Sequence, residues 1–117
     1  MFETQLNGLC DRIVGLTEVA VISYDGCVVE GHRKNASGAV HASVASLTPL
    51  IQQMKSGFQL LGLGQVSSLI MEGPNHKRFF WPINDDYLLY AESDVDEREG
   101  KVIFELSVTA SELLGYF

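Results

Sequence analysis

The sequence predicts an α/β sandwich, an antiparallel sheet of five strands with helices packed on it. Three observations predict it. A helical apolar stripe opens the chain and another closes it. Two strand-like runs meet at Asp25-Gly26, and three more follow from Val66 onward. Between the two sets lies one long helical pattern rich in Ala, Ser and Val.

Phe2, Leu6, Leu9 and Ile13 recur at three- and four-residue steps, the spacing of one helix face, and Gly15 is a stop signal just beyond. Val19 to Tyr24 is β-branched and aromatic. Val21 and Ile22 are adjacent apolar residues, so both faces of that strand are covered. Asp25-Gly26 supplies the positive-φ positions of a tight hairpin turn, and Cys27-Val28-Val29 returns as the partner strand. Asn35-Ala36-Ser37-Gly38 reads as a loop with capping residues. Val40, Val44, Leu47, Ile51, Met54 and Phe58 then step through a long helix. Pro49 lies inside it and predicts a kink near Ala45-Ser46. Gly57, Gly62 and Gly64 mark its end.

Val66 to Glu72 is the next strand, turning at Gly73-Pro74-Asn75-His76. Arg78 to Trp81 follows, with Pro82 placed at a strand end or bulge. One aromatic of Phe79-Phe80-Trp81 must point away from its neighbours' face, free to meet a helix or a partner. After Asn84-Asp85-Asp86, Tyr87 to Ala91 is a strand with both faces apolar. Asp96 with Glu99 resembles a capping box for the last helix, carried by Val102, Ile103, Leu106, Ala110, Leu113 and Leu114.

At 117 residues, with 46% hydrophobic and 20% charged content, the chain is one globular domain spanning 1–117. A domain of this size buries only about two-thirds of its unfolded surface, so self-association is a natural supplement to stability. The net charge of −7 repels phosphate backbones and anionic membranes. The adjacent basic pairs, Arg33-Lys34 and Lys77-Arg78, form no patch, which argues against nucleic-acid binding. No apolar run approaches the roughly 20 residues of a membrane span, and Met1-Phe2-Glu3-Thr4 does not open a signal peptide. These features point to the cytosol.

Cys10 on a helix and Cys27 on a strand read as small buried hydrophobes kept reduced, since their spacing does not argue for a disulfide. His32, His41 and His76 are separated from one another and from both cysteines, with no metal-ligand spacing. A Cys27 nucleophile paired with His32 or His41 has no supporting motif. Gly62-Leu63-Gly64 lacks the Gly-Lys-Ser/Thr ending of a phosphate loop and precedes a strand. No catalytic residue, cofactor or metal is expected.

Two surfaces look unfinished. The Ala/Ser/Val helix carries too few charges for a solvated surface, and its small residues would let a copy approach closely. The strand from Val66 to Glu72 can lie at a sheet edge, where Ser67, Ser68 and Leu69 offer no defensive charge. Pairing across a two-fold axis is a self-complementary solution. The expected dimer interface is therefore Val40, Val44, Leu47, Ile51 and Met54 on the helix, with Ser67 and Leu69 on the edge. The acidic run Glu92, Asp94, Asp96, Glu97 and Glu99 reads first as a solvated loop at a helix N-terminus. A sharper reading makes Asp94, Asp96 and Glu97 a docking surface for a basic partner.

The order helix, hairpin, long helix, three-strand meander, helix resembles the Roadblock (dynein light chain) family, bacterial gliding-motility regulators among its members. The stretch from Thr17 to Glu30 is similar to that family's opening hairpin, the Ala/Ser-rich helix to its second helix, and Tyr87 to Ala91 to its late central strand. Pro49 and Pro82 are not explained by it. The resemblance implies a long helix on one sheet face, the terminal helices on the other, and a dimer built on the second helix and third strand. It further implies a non-catalytic regulator or scaffold for a small Ras-like GTPase, activating or adapting. Two other expectations stand beside it: a motor or cargo adaptor subunit, and a profilin-like small-ligand sensor.

Overall fold

A computed structural model describes residues 1–34 and 47–117. Along the chain run α1 (Glu3–Arg12), β1 (Leu16–Ser23), β2 (Val28–Arg33), α2 (Thr48–Leu60), β3 (Leu69–Glu72), β4 (His76–Pro82), β5 (Tyr87–Asp94) and α3 (Glu99–Leu114). The five strands form one antiparallel sheet in the order β2-β1-β5-β4-β3. Hairpin and meander are joined by the pairing of β1 with β5, which places the two most apolar strands at the centre.

Alternation along those strands splits the core in two. Val19, Val21, Phe79, Leu89 and Ala91 face α1 and α3, meeting Leu6, Leu9, Val102, Leu106 and Leu113. Ala20, Ile22, Phe80, Leu88 and Tyr90 face the other way, toward Ile51 of α2. Adjacent apolar residues are thus used on both faces, as the pattern at Val21-Ile22 required. Phe79 and Trp81 pack into the first cluster and Phe80 into the second, so the three aromatics are divided between the layers.

Several local expectations are corrected. The hairpin turn is a three-residue Tyr24-Asp25-Gly26 loop, not a two-residue one. Gly26 N–H bonds the Ser23 carbonyl, Ser23 N–H bonds the Cys27 carbonyl, and Gly26 takes the left-handed φ of 95°. Cys27 precedes β2 and is exposed, while Cys10 is buried as expected. β3 is shorter than expected, leaving Val66 to Ser68 ahead of it. Pro49 stands in the first turn of the described α2, where a missing N–H costs no helical bond. The kink expected at Ala45-Ser46 lies outside the described residues. Gly57 is within α2, and Gly62 (φ 71°) and Gly64 (φ 79°) follow its end. The Asp96–Glu99 capping box does not form, because α3 starts after Arg98 and Asp96 lies two residues upstream of that cap. Glu99 still places a carboxylate in the first turn.

Pro82 ends β4, opposite Leu88. In the turn beyond it, the Asn84 side-chain oxygen accepts from the Asp86 and Tyr87 amides at 2.8 and 2.9 Å, fixing the entry to β5.

Candidate functional site

The fold leaves β3 at an edge of the sheet, and its residues Leu69, Ile70 and Met71 are all only half-buried. Leu69 and Met71 lean on the α2-side cluster and Ile70 on the other. Glu72 is the single charged residue of this strand. Among the described residues no strand pairs with the outer side of β3, and a single charge defends it. Ser67 is exposed, in the segment that leads into β3.

On α2, the stripe read from the sequence faces the chain's own sheet. Ile51 is 6% exposed and belongs to the core, Leu47 is half-buried against it, and Met54 is half-buried. Val40 and Val44 lie outside the described residues. A flank missed by the sequence reading carries Leu50, Met54, Gly57 and Leu61 at steps of four, three and four residues. Leu50 and Leu61 are exposed, and a Cβ on Gly57 would meet no atom within 4 Å. The signal was present, but the strong inward stripe masked the weaker parallel one.

The acidic segment is only partly free. Glu97 Oε2 accepts the Gly15 amide at 2.9 Å, and a Cβ on Gly15 would come within 2.5 Å of that oxygen. A side chain at Gly15 would therefore have to displace the Glu97 carboxylate from its bond to this amide, a constraint that its reading as a helix stop did not reveal. The nearly buried Lys77 ammonium donates to the Glu97 carbonyl at 3.3 Å and lies 3.5 Å from Glu99. Asp94 and Asp96 remain exposed. The plainer reading, a loop whose acids organise a helix start, accounts for Glu97 and Glu99. Only Asp94 and Asp96 are left to meet a partner.

A cleft of about 410 Å³ opens between α2 and the β4–β5 turn, lined by Tyr24, Lys55, Gln59, Gln65, Asn84 and Asp85 among others. The Lys55 ammonium sits 3.8 Å above the Tyr24 ring centre, a cation–π contact. Burial, and then the nearby Asp85 carboxylate, push the Tyr24 hydroxyl above its usual pKa.

A charged ladder crosses the α2 side of the sheet. Glu18 accepts from the Tyr90 hydroxyl at 2.8 Å and lies 3.6 Å from Arg33, while Arg78 donates to Glu92 at 3.0 Å. Thr17 also donates to Glu92, at 2.8 Å. Two arginines balance two glutamates, so the ladder is internally satisfied and leaves no net charge to attract a ligand. Among the described residues, no group of three or more His, Cys, Asp or Glu is placed to hold a metal ion, and no helix is long and apolar enough to cross a membrane.

No described sequence family and no curated protein matches the chain. Solved structures match its fold. MglB of Myxococcus xanthus superposes with a TM-score of 0.87 at 16% identity, over 97% of this chain and 92% of that one. A Roadblock/LC7 domain from Streptomyces avermitilis gives 0.77 at 18% identity, over 97% and 94%. MglC of Myxococcus xanthus gives 0.72 at 23% identity, over 99% and 98%.

Proposed function

We propose that this chain, whose fold is that of Roadblock/LC7 domains, is a non-catalytic homodimeric regulator or scaffold for a small Ras-like GTPase. The observation that carries the reading is the combination of that fold with the open β3 edge and the exposed apolar flank of α2. Two copies paired across a two-fold axis at these surfaces would join their sheets and cover Leu50, Leu61 and Leu69. The interface would include Leu47 and Met54 at its inner margin, Ser67 ahead of the strand, and Val40 and Val44 from the segment before α2. A contact of this type buries on the order of 1,200–2,000 Å².

Such a dimer acts without chemistry of its own. It presents a rigid surface that binds one arrangement of a GTPase's switch loops better than another, and so shifts their population. Asp94 and Asp96 supply negative charge for a basic patch on the partner. The similarity to MglB and MglC supports a gliding-motility-regulator-like role within this class. Capture of the cell's small GTPases on immobilised protein, loaded with GDP or a GTP analogue, tests the reading. Binding in neither state would sink it.

A second reading rests on the cleft beside Tyr24. Its volume falls within the range of small-ligand sites, and Lys55, Asn84 and Asp85 are polar groups converging on it. A thermal-shift screen of metabolites would support a sensor if one compound raised the melting temperature and Lys55→Met abolished the rise.

A further inference from the structure

The outer surface of α3 is built differently from an ordinary solvated helix face. Its inner stripe is Val102, Leu106, Thr109, Ala110 and Leu113, all buried. Directly opposite, at steps of four, four, three and four residues, stand Gly100, Phe104, Val108, Ser111 and the C-terminal cap Gly115. No charge interrupts this outward line. Phe104 is 62% exposed and Val108 37%. Two large apolar side chains standing out on an uncharged line form a face that another surface can cover. Gly100 sharpens the point. A Cβ there would meet nothing within 4 Å, so packing within the chain does not demand a glycine at this second residue of the helix.

We propose that a second copy of this chain covers the face, its α3 crossing antiparallel about a two-fold axis at Leu106–Ser107. The charges at the border select this occupant. Lys101 and Glu112 are both exposed, lie on the same rim, and are five and a half residues to either side of that point. An antiparallel two-fold reverses position along the helix and keeps each rim on its own side. It therefore sets Lys101 against the partner's Glu112, and Glu112 against the partner's Lys101. Neither residue makes an ion pair among the described residues. Phe104 then falls between the partner's Val108 and Ser111, and the small residues allow close approach. At 16 residues α3 is about 24 Å long, enough to carry a two-helix contact along its length. Each subunit carries a net charge of −7, so copies approach most easily where acids are absent or matched by lysine.

This contact goes beyond the α2–β3 pairing and lies on the opposite layer, so both can exist in one particle. The test is the mass of the full chain in solution by light scattering, for wild type, Phe104→Lys, Lys101→Glu, Glu112→Lys and the Lys101→Glu/Glu112→Lys double variant. Phe104→Lys is expected to halve the mass, from four copies to two if the α2–β3 contact also holds, or from two to one if it does not. Each single charge reversal should raise the dissociation constant several-fold, and the double reversal should restore it. Phe104 projects into solvent, so its replacement leaves the core intact, and circular dichroism checks this. An unchanged mass for Phe104→Lys, or a double variant no better than the singles, overturns the proposal.

Discussion

The Tyr90 hydroxyl donates a 2.8 Å hydrogen bond to Glu18 Oε1, between two side chains that are both buried. They lie on the paired central strands as diagonal neighbours on the α2 side of the sheet, Glu18 standing opposite Glu92 and Tyr90 opposite Ala20. Removal from water, and next the Glu18 carboxylate, push the Tyr90 hydroxyl far above its ordinary pKa. The proton is thus held in the folded state, where it satisfies a buried carboxylate whose other oxygen lies 3.6 Å from Arg33.

The sign of the resulting pH dependence follows. A folded-state pKa raised above the unfolded value means that Tyr90 stabilises fully below about pH 10, the ordinary tyrosine range. Above it the unfolded chain loses this proton and the folded one keeps it, so stability falls as pH rises. Tyr90→Phe should cost about 1–3 kcal/mol at neutral pH, because Glu18 loses its donor. It should also flatten the alkaline decline. Urea unfolding of both proteins from neutral to alkaline pH measures this, and parallel profiles would contradict it.

Lys34 closes the end of α1. Its ammonium donates to the carbonyls of Cys10, Ile13 and Val14 at 3.0, 3.2 and 2.9 Å, and its amide bonds Thr17. A cation here meets the negative end of the helix and the carbonyls that follow it. Lys34→Met keeps the apolar stem and should lower stability by about 1–3 kcal/mol. Lys34→Arg should recover part of that loss, and denaturant midpoints of the three proteins decide it.

The β3 edge gives a separate expectation. Leu69→Lys, placed at the half-buried margin of the strand, should lower the solution mass while leaving the far-UV spectrum unchanged. Leu50→Glu on the α2 flank should do the same. If both retain the wild-type mass, that face does not pair.

The two thiols should differ in reactivity. Cys27 is exposed beside the hairpin turn. Cys10 is 3% exposed, and burial raises its pKa, which lowers its thiolate fraction. A thiol reagent should titrate one group promptly in the native protein and two in denaturant. Prompt reaction of both would show α1 opening locally.

Much of the fold was legible because each element writes its own period. The α1 stripe from Phe2 to Ile13 was read from spacing alone and is buried, as are Val102, Leu106, Ala110 and Leu113 of the stripe read for α3, whereas Ile103 is half-buried and Leu114 exposed. Adjacent apolar pairs such as Val21-Ile22 and Leu88-Leu89 announced strands covered on both faces. Turn details were less legible. Asp25-Gly26 signals a hairpin, but the loop's third residue depends on how Ser23 meets Cys27 across the turn. The interface stripe of α2 was read from its strongest apolar periodicity, and the sheet takes Ile51 from that stripe for the core.

Composition and period by themselves determined the class of this protein: an acidic α/β sandwich with a middle helix and a strand poor in charge. These are local properties, set by which side chains follow one another at steps of two or of three and four. The tertiary structure alone decided that Glu18 is buried beneath Tyr90, 72 residues away, and that Glu97 occupies the space a side chain at Gly15 would need, 82 residues away. The pairing of β1 with β5 creates both neighbourhoods, and a chain's local pattern does not state which distant strand will lie beside it.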